Sequence, residues 1–314
     1  MFLDHDLWPV VEDLLDAAWK PSTKRSYASA QRKYISFCHL YNVDVLPATE
    51  NVLLQFIAFL HTNSIKGQSI RCYMSAVRQF HIINGYPEPQ KTPLLAASIK
   101  GAMVYSSPPS RKAPITTDIL TRLVTVCQSR SDLLLMKTVM CTLFFGCLRA
   151  GELCVADQDH FSKSTNVCVK DISFHGSEYF ELFLRKSKTD RFSMGVTVVV
   201  GCSGAEPCAF CYMKGYMQSL PENVSRNAPL FQVSPNVALK KSYFINALKL
   251  CLIDINLNPS QFGGHSFRAG SASSASLKGF SDWEIKLMGR WESDVYKIYL
   301  CKPQLIASYA QRLI

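Results

Sequence analysis

The sequence predicts a mainly α-helical protein with a small β-sheet, divided into a helical N-terminal domain and an α+β C-terminal domain. Apolar residues recur at steps of three and four along most of the chain, as in amphipathic helices. Three β-rich stretches are confined to the second half, at residues 166–174, 179–185 and 194–200. A proline-containing segment, SSPPSRKAP, separates the halves because prolines oppose helix. We therefore predict domains at residues 1–105 and 115–314, with a linker at 106–114.

The helices of both domains follow from the same periodicity. In the first domain they are predicted at residues 7–19, 22–41, 49–63, 65–84 and 93–105. Ser22 and Thr49 occupy positions typical of N-caps, and Gly85 follows where a helix should end. The second domain should begin with helices at residues 116–128 and 132–145. Mostly helical sequence follows its β-rich stretches.

Composition indicates a globular intracellular protein. Of the 314 residues, 48% are hydrophobic and 18% charged, which is typical of a folded chain. Asp4 and Asp6 make the N-terminus acidic, unlike a secretory signal, and no apolar run approaches the length of a membrane span. Twelve cysteines without regular pairing favour a reducing compartment. We expect a soluble protein that does not contact a membrane.

The net charge of +10 is unevenly distributed. Residues 1–19 hold five acids and no Lys or Arg, whereas residues 20–112 hold twelve Lys and Arg against three acids, which gives +9. Such a density suits a polyphosphate partner, although a generally basic surface is the alternative. The candidate contacts to nucleic acid are Lys24, Arg25, Arg32, Lys33, Arg71, Arg78, Arg111 and Lys112.

Two segments offer cations suited to phosphate chemistry. In residues 144–153, FFGCLRAGEL, an apolar helix ends at Gly146 and is followed by a turn that presents Arg149. A guanidinium has a planar fork that matches phosphate oxygens. Residues 185–191, RKSKTDR, lie between two predicted strands, where a lysine, Lys186 or Lys188, can protonate a leaving oxygen. A surface ion pair and a solvated turn are the alternative interpretations of the two segments.

Two further segments complete the set. In GGHSFRAG, residues 263–270, the glycines precede a helix whose N-terminus favours an anion. His265 and Arg268 are three residues apart and therefore share one helical face. The alternative is a capping histidine beside a surface arginine. In LMGRWESDVYKIYL, residues 287–300, a glycine separates two helices, and the second helix carries Tyr296 and Tyr299.

Together these segments resemble the tyrosine recombinases, the lambda-integrase family, which has Arg, Lys, His-x-x-Arg, His or Trp, and a nucleophilic Tyr in this order. The matching residues are Arg149, Lys188, His265, Arg268 and Tyr299. Residues 22–27, STKRSY, are similar to the start of the family's core-binding (SAM-like) domain. The motifs FFGxLR, SKTD and GRWxSD look closest to those of eukaryotic mobile-element recombinases of the Crypton and DIRS kind.

The sequence departs from the family pattern at one position, with Gly-Arg-Trp where most relatives have Gly-His or Gly-Trp. Arg290 lies nine residues before Tyr299, whereas Trp291 lies 26 residues after His265, and both intervals are typical of the family. Arg290 is the stronger candidate because it is a charged donor, and Trp291 is the alternative. Tyr296 competes as nucleophile, but Tyr299 has the family's usual distance of ten residues from the glycine.

The resemblance implies a site-specific recombinase or integrase that cleaves and rejoins duplex DNA through a 3′-phosphotyrosyl intermediate. It also implies a tyrosine recombinase catalytic domain and a homo-tetramer on DNA, with no metal, ATP or other cofactor in the reaction. The predicted catalytic residues are Arg149, Lys188, His265, Arg268, Arg290 and Tyr299. An origin in a eukaryotic mobile element would place the protein in the nucleus, and any other origin in the cytoplasm with the DNA. The alternative functions are an inactive, domesticated DNA-binding protein of the same fold and a type IB topoisomerase.

Three cysteines, Cys202, Cys208 and Cys211, have a spacing that invites a zinc interpretation. A structural zinc site needs a fourth ligand, for which the candidates are Cys168, His175 and His160. Cysteine is also common as a small buried hydrophobic residue. The sequence therefore leaves the zinc question open, and we predict no metal site from it.

The charge distribution generates a prediction about DNA affinity. Residues 115–314 alone should bind duplex DNA more weakly than the full chain, with a shallower dependence of log affinity on log salt, because they neutralise fewer phosphates. Reversing Arg25, Arg32 and Arg78 to Glu should have the same effect. Fluorescence anisotropy over a salt series measures both quantities. Equal affinity and equal slope for the fragment and the full chain would show that the first hundred residues do not contact DNA.

Overall fold

The computed structural model describes residues 7–107, 111–126, 133–185 and 194–299. The chain forms two compact units, residues 1–110 and 111–314. Their boundary falls inside the segment 106–114. Within the described ranges, no helix is long and apolar enough to span a membrane.

Unit 1 is built from five helices in the described range. They are α1 (Trp8–Ala17), α2 (Pro21–Tyr41), α3 (Glu50–Thr62), α4 (Gly67–Ile83) and α5 (Pro93–Tyr105). Tyr34 and Phe37, three residues apart on one face of α2, pack on Phe56 of α3, with ring centroids 5.1 and 5.2 Å away. Ile70 and Val77 of α4 are buried in the same core. The apolar faces of α2, α3, α4 and α5 thus close one small core, whereas the described side chains of α1 are exposed.

The first residues of α2 and α3 show how the local sequence determines where a helix begins. The Thr49 side chain accepts a hydrogen bond from the Val52 amide, as predicted for an N-cap. The prediction for Ser22 is wrong, because α2 begins at Pro21 and its N-cap is Lys20. Proline at the first helical position loses no hydrogen bond, since that amide has no partner within a helix.

Unit 2 combines helices with two small sheets. Its helices are α6 (Thr117–Val126), α7 (Leu133–Phe145), α8 (Ala150–Leu153), α9 (Ala209–Ser219), α10 (Lys241–Asp254), α11 (Ser266–Leu277) and α12 (Asp282–Gly289). Its strands are β1 (Ile172–His175), β2 (Tyr179–Leu184), β3 (Val196–Gly201), β4 (Gln232–Ser234) and β5 (Val237–Ala238). Short 3₁₀ helices cover Val169–Asp171, Pro259–Gln261 and Asp294–Tyr299. The predicted mainly α fold with a small sheet is confirmed.

The larger sheet is antiparallel, in the order β1-β2-β3. Phe180, Leu182 and Leu184 alternate along β2 and are buried on one face, which explains the period of two in the sequence. The first strand is shorter than predicted because a 3₁₀ helix ends at Asp171. The β4-β5 pair was not predicted, since strands of three and two residues are too short to show a period.

Helix α7 lies at the centre of the unit 2 core. Met136, Val139, Met140 and Leu143 are fully buried. Thr138 is buried as well, and its hydroxyl donates to a backbone carbonyl of its own helix. A helix surrounded by protein on all sides is apolar on all sides, and this one ends directly before the segment of Arg149.

The segment that enters unit 2 is anchored to it by backbone hydrogen bonds. The Ala113 amide donates to the Gln261 carbonyl at 2.6 Å, and the Ile115 amide donates to the Ser266 carbonyl at 2.9 Å. The end of the predicted linker therefore lies on unit 2. Gly270 permits this crossing, because a Cβ atom there would lie 1.7 Å from the Ile115 carbonyl oxygen.

Gly270→Ala should therefore lower the free energy of unfolding of unit 2 by about 2–3 kcal/mol or more, because the methyl group forces the crossing backbone away from α11. Gly215→Ala is the matched control, since a Cβ at Gly215 makes only an ordinary contact with Leu134. This change should stabilise α9 by about 0.5–1 kcal/mol. Urea unfolding followed by circular dichroism measures both values. An unchanged free energy of unfolding in Gly270→Ala would contradict the close approach of the two backbones.

Candidate active site

Arg149 is fixed at the start of α8, just beyond the end of α7. Cys147 adopts a left-handed backbone conformation, with φ of 48°, and turns the chain between the two helices. The Arg149 amide donates to Glu152 Oε2 at 2.8 Å, and its Nη1 lies 3.1 Å from Glu152 Oε1. Glu152 therefore caps the helix through one oxygen and holds the guanidinium through the other.

Arg268, on the first turns of α11, is 2% exposed. Its Nη1 donates to the Cys147 carbonyl and its Nη2 donates to the Gly289 carbonyl. The Trp291 ring covers the guanidinium, with 4.3 Å between the Arg268 Cζ atom and the ring centroid. Two carbonyls and an aromatic face thus replace the water that this charge loses on burial.

Arg290 reaches the same place from the end of α12, where its backbone is left-handed, with φ of 53°. Its Nη1 donates to the Gly146 carbonyl at 3.2 Å. Its Nη2 lies 3.7 Å from Glu152 Oε2 and, within the part of the chain that the structure describes, makes no hydrogen bond. A buried guanidinium nitrogen without an acceptor is costly, and an anionic ligand would satisfy it.

Gly289 is required for this arrangement. A Cβ atom at Gly289 would lie 1.7 Å from the Trp291 ring, so a larger residue would displace the ring from Arg268. The Gly-Arg-Trp sequence therefore places the charge of Arg290 beside Glu152 and the ring of Trp291 over Arg268. Both residues that compete for this position in the sequence contribute to the same site.

The three guanidiniums open onto one cavity of about 720 Å³. The described residues that line it are Arg149, Glu152, Gly195, Val196, Arg268, Trp283, Lys286, Leu287, Arg290, Trp291 and Glu292. Four of these side chains are basic and two are acidic, so the wall carries an excess of positive charge. Such a cavity favours a small anionic group.

Burial lowers the pKa of the Arg268 guanidinium to about 10, and the charges of Arg149 and Arg290 act in the same direction. Burial also lowers the pKa of Arg290, with Arg149 contributing and Glu152 opposing. Arg268 nevertheless remains cationic at neutral pH because its pKa is still well above 7. The site therefore keeps a fixed positive charge at neutral pH.

The remaining predicted catalytic residues are His265, Lys188 and Tyr299, and neither His265 nor Tyr299 is among the described residues that line this cavity. His265 is exposed directly before α11, three residues from Arg268. Lys188 and Lys186 lie outside the described residues. The segment that contains them joins β2 to β3, and Gly195 and Val196 at its far end line the cavity.

The two candidate nucleophiles differ in accessibility. Tyr296 is 2% exposed, with its ring centroid 5.6 Å from that of Trp291. Burial raises the pKa of Tyr296, which disfavours the phenolate. Tyr299 is half-buried, and its ring centroid lies 6.2 Å from that of Trp291. Its carbonyl accepts a hydrogen bond from Ser273 of α11 at 2.6 Å.

The basic residues predicted to contact DNA form a separate set, none of which lines the cavity. Helix α2 carries the first four and α4 the next two. Lys24 is paired with Asp16, and Arg78 lies 3.7 Å from Glu88. The members that are exposed are Arg25, Arg32, Arg71, Arg111 and Lys112.

The chain matches no protein-family model and no curated protein. It is similar to solved structures over nearly its whole length. XerH recombinase bound to a palindromic difH substrate is 14% identical, with a TM-score of 0.64 over 91% of this chain and 78% of that one. The Tn1549 transposon integrase in complex with transposon right-end DNA is 10% identical, with a TM-score of 0.62 over 94% of each chain. A lambda integrase dimer bound to a COC′ core site is 17% identical, with a TM-score of 0.59 over 95% and 94%.

The chain has the tyrosine recombinase fold. The similarity covers at least nine-tenths of this chain in each of the three comparisons, so it includes residues of both units. The predicted likeness to Crypton and DIRS recombinases stays a prediction.

The structure also identifies site residues that sequence reasoning missed. Glu152 contacts two arginines, yet the sequence contained its signal, because a carboxylate three residues after a helix start is half of a capping box. Trp283 and Lys286 line the cavity from α12, and nothing in their local sequence distinguishes them from surface residues of a helix.

Glu152→Gln should destabilise the protein by about 2 kcal/mol, because it removes the carboxylate charge that balances Arg149 and Arg290. Sulfate should recover part of this loss by supplying a negative charge. Thermal unfolding with and without sulfate at constant ionic strength measures both effects. Glu222→Gln, at an exposed position, should change stability by less than about 0.5 kcal/mol. If Glu152→Gln were as stable as this control variant, the arginines would need no carboxylate within the protein to balance their charge.

Proposed function

We propose that the chain is a site-specific DNA recombinase that cleaves and rejoins duplex DNA through a 3′-phosphotyrosyl intermediate. The convergence of Arg149, Arg268 and Arg290 on one cavity, beside the buried carboxylate of Glu152, carries this proposal. Three guanidiniums against one carboxylate leave a positive excess. A phosphodiester would balance it, and the balance improves as negative charge develops in the transition state.

In the proposed reaction the phenolic oxygen of Tyr299 attacks the scissile phosphorus. The new oxygen–phosphorus bond forms as the bond to the 5′-oxygen breaks, so the 3′-phosphate remains on the enzyme. Lys188 gives a proton to the leaving 5′-oxygen, and His265 accepts the proton that the phenol loses. One phosphoester replaces another, so religation to a partner strand needs no ATP.

Two observations support the assignment of Lys188 as the general acid. The strands that flank it, β2 and β3, are paired along their whole length from Tyr179 to Gly201. The start of β3 lies in the cavity wall, at Val196. The described end of the connection that carries Lys188, at Gly195 and Val196, therefore lies in the cavity wall.

The choice of Tyr299 over Tyr296 rests on accessibility. Tyr296 is 2% exposed and packs in a small apolar cluster with Ile285 and Trp291, so little of its side chain is accessible to a substrate. Tyr299 lies at the margin of the same cluster and is half-buried. A tyrosine held by its backbone but only partly covered suits attack on an external phosphate.

Duplex DNA is the proposed partner of both units. Unit 1 provides the exposed cations of α2 and α4, and unit 2 provides the cavity. The similar lambda integrase and Tn1549 integrase were both solved in complex with DNA. We extend the proposal to a homo-tetramer on DNA, and to a nuclear location if the chain comes from a eukaryotic mobile element.

The function can be tested without knowing the target sequence. A pool of nicked duplexes with randomised sequence is incubated with the full chain, and covalent complexes are recovered after denaturation. Tyr299→Phe should reduce adduct formation by at least about 1,000-fold, because it removes the attacking oxygen while the ring is retained. Tyr296→Phe, the matched control, should retain adduct formation.

Loss of adduct with Tyr296→Phe but not with Tyr299→Phe would transfer the nucleophile to Tyr296. DNA binding without any adduct from the unmodified chain would support the domesticated, inactive alternative. Relaxation of supercoiled plasmid without sequence preference would instead indicate a topoisomerase.

A further inference from the structure

Outside the cavity, the thiols of Cys202, Cys208 and Cys211 form a second cluster of reactive groups. Cys202 follows the last residue of β3, Cys208 is the N-cap of α9, and Cys211 lies in the first turn of that helix. Their three sulfur atoms all lie within 4.8 Å of one another. The sulfur atoms of Cys202 and Cys208 are 3.6 Å apart.

We infer that these three cysteines bind a zinc ion that ties the end of β3 to the start of α9. Tetrahedral zinc with a zinc–sulfur bond of about 2.3 Å holds its sulfur ligands about 3.8 Å apart. The Cys202–Cys208 separation of 3.6 Å is close to this spacing. The other two separations are at most 4.8 Å, so the three sulfur atoms have to approach one another by no more than about 1 Å. A metal ion at the centre of the triangle would complete a thiolate site.

The local backbone favours metal binding at these sulfurs. The Cys211 amide donates a hydrogen bond to Cys208 Sγ at 3.4 Å. An N–H group directed at sulfur stabilises the thiolate, which is the form that binds metal. Because Cys208 and Cys211 are three residues apart at a helix start, both sulfurs face the same side as the end of β3.

Packing does not explain why cysteines occupy positions 202 and 211. Most other described cysteines are buried and act as small apolar residues; they are Cys38, Cys141, Cys147, Cys154, Cys168 and Cys251. Cys202 and Cys211 are exposed, yet their sulfur atoms converge on the buried Cys208. Exposed thiols gain nothing from burial, so their convergence needs another reason, and a shared metal ion provides one.

None of the three candidates for a fourth ligand, Cys168, His175 and His160, joins the cluster. Among the described residues, the ligand atoms within 4.8 Å of one another belong to the three cysteines alone. The Cys168 thiol donates to the carbonyls of Lys163 and Asn166, and His175 stacks on Tyr179. Since two of the cysteines are exposed, we assign the fourth coordination position to water, which makes this site more open than a structural zinc site with four protein ligands.

The proposed zinc ion has a structural role that is distinct from strand cleavage. Helix α9 packs on α7 through the buried Met213, and the Thr138 hydroxyl of α7 lies 3.1 Å from the Tyr212 carbonyl. Helix α7 leads directly to Arg149. A metal clamp at the start of α9 would therefore stabilise the helix against which the arginine-bearing segment is built.

The test uses the full chain produced in zinc-supplemented medium and purified under reducing conditions. Metal analysis should find about one zinc ion per chain in the unmodified protein and in Cys72→Ser, an exposed cysteine of unit 1. Cys202→Ser and Cys211→Ser should lose the metal, and zinc should no longer raise their Tm. Cobalt added to the metal-free chain should give the absorption of a tetrahedral thiolate complex, and Cys211→Ser should not.

Alkylation of the unmodified chain provides a readout that does not depend on how the variants fold. Zinc should slow the modification of Cys202 and Cys211 by about tenfold or more and leave that of Cys72 unchanged. Absence of zinc from the unmodified chain together with absence of this protection would overturn the inference. So would full zinc retention in both variants, or a Cys202–Cys208 disulfide in protein kept under reducing conditions.

Discussion

The site depends on the hydrogen bonds that the buried guanidinium of Arg268 makes. This guanidinium bonds to the carbonyls of Cys147 and Gly289, so one side chain joins the turn after α7 to the end of α12. Each carbonyl belongs to a segment that carries another arginine of the site. Arg149 lies two residues after the first carbonyl, and Arg290 directly follows the second. The contacts that bury Arg268 therefore also set the positions of the other two charges.

Burying this charge destabilises the fold unless other groups replace its hydration, and here two carbonyls and the Trp291 ring replace it in part. Desolvation lowers the pKa of Arg268 to about 10, yet the group stays charged at neutral pH. Cys147 and Arg290 add backbone strain, since both adopt left-handed conformations that suit glycine. Such costs are typical of sites that bind a transition state, because positive charge placed in advance needs no rearrangement during the reaction.

Sequence reasoning predicted most of the helices and the three stretches that form the larger sheet, because these follow from periodicity. It selected three arginines from their spacing within short segments, and these three line one cavity. It missed β4 and β5, which are too short to show a period, and it placed a cap at Ser22 where Pro21 starts the helix. It also missed Glu152, whose second partner, Arg290, comes from a segment far along the chain. Contacts of this kind depend on tertiary packing. The convergence of Arg290 and Trp291 on one site could likewise not be read from counts along the chain.

The central claim is that this cavity holds the scissile phosphate of a DNA duplex. A crystal structure of the Tyr299→Phe variant bound to DNA selected by the unmodified chain tests it most directly. The account predicts a backbone phosphate whose oxygens lie within about 3 Å of guanidinium nitrogens of Arg149, Arg268 and Arg290. In that structure Arg290 Nη2, which makes no hydrogen bond within the described residues, should donate one to the phosphate. Duplex DNA bound elsewhere, with no phosphate in the cavity, would contradict the account.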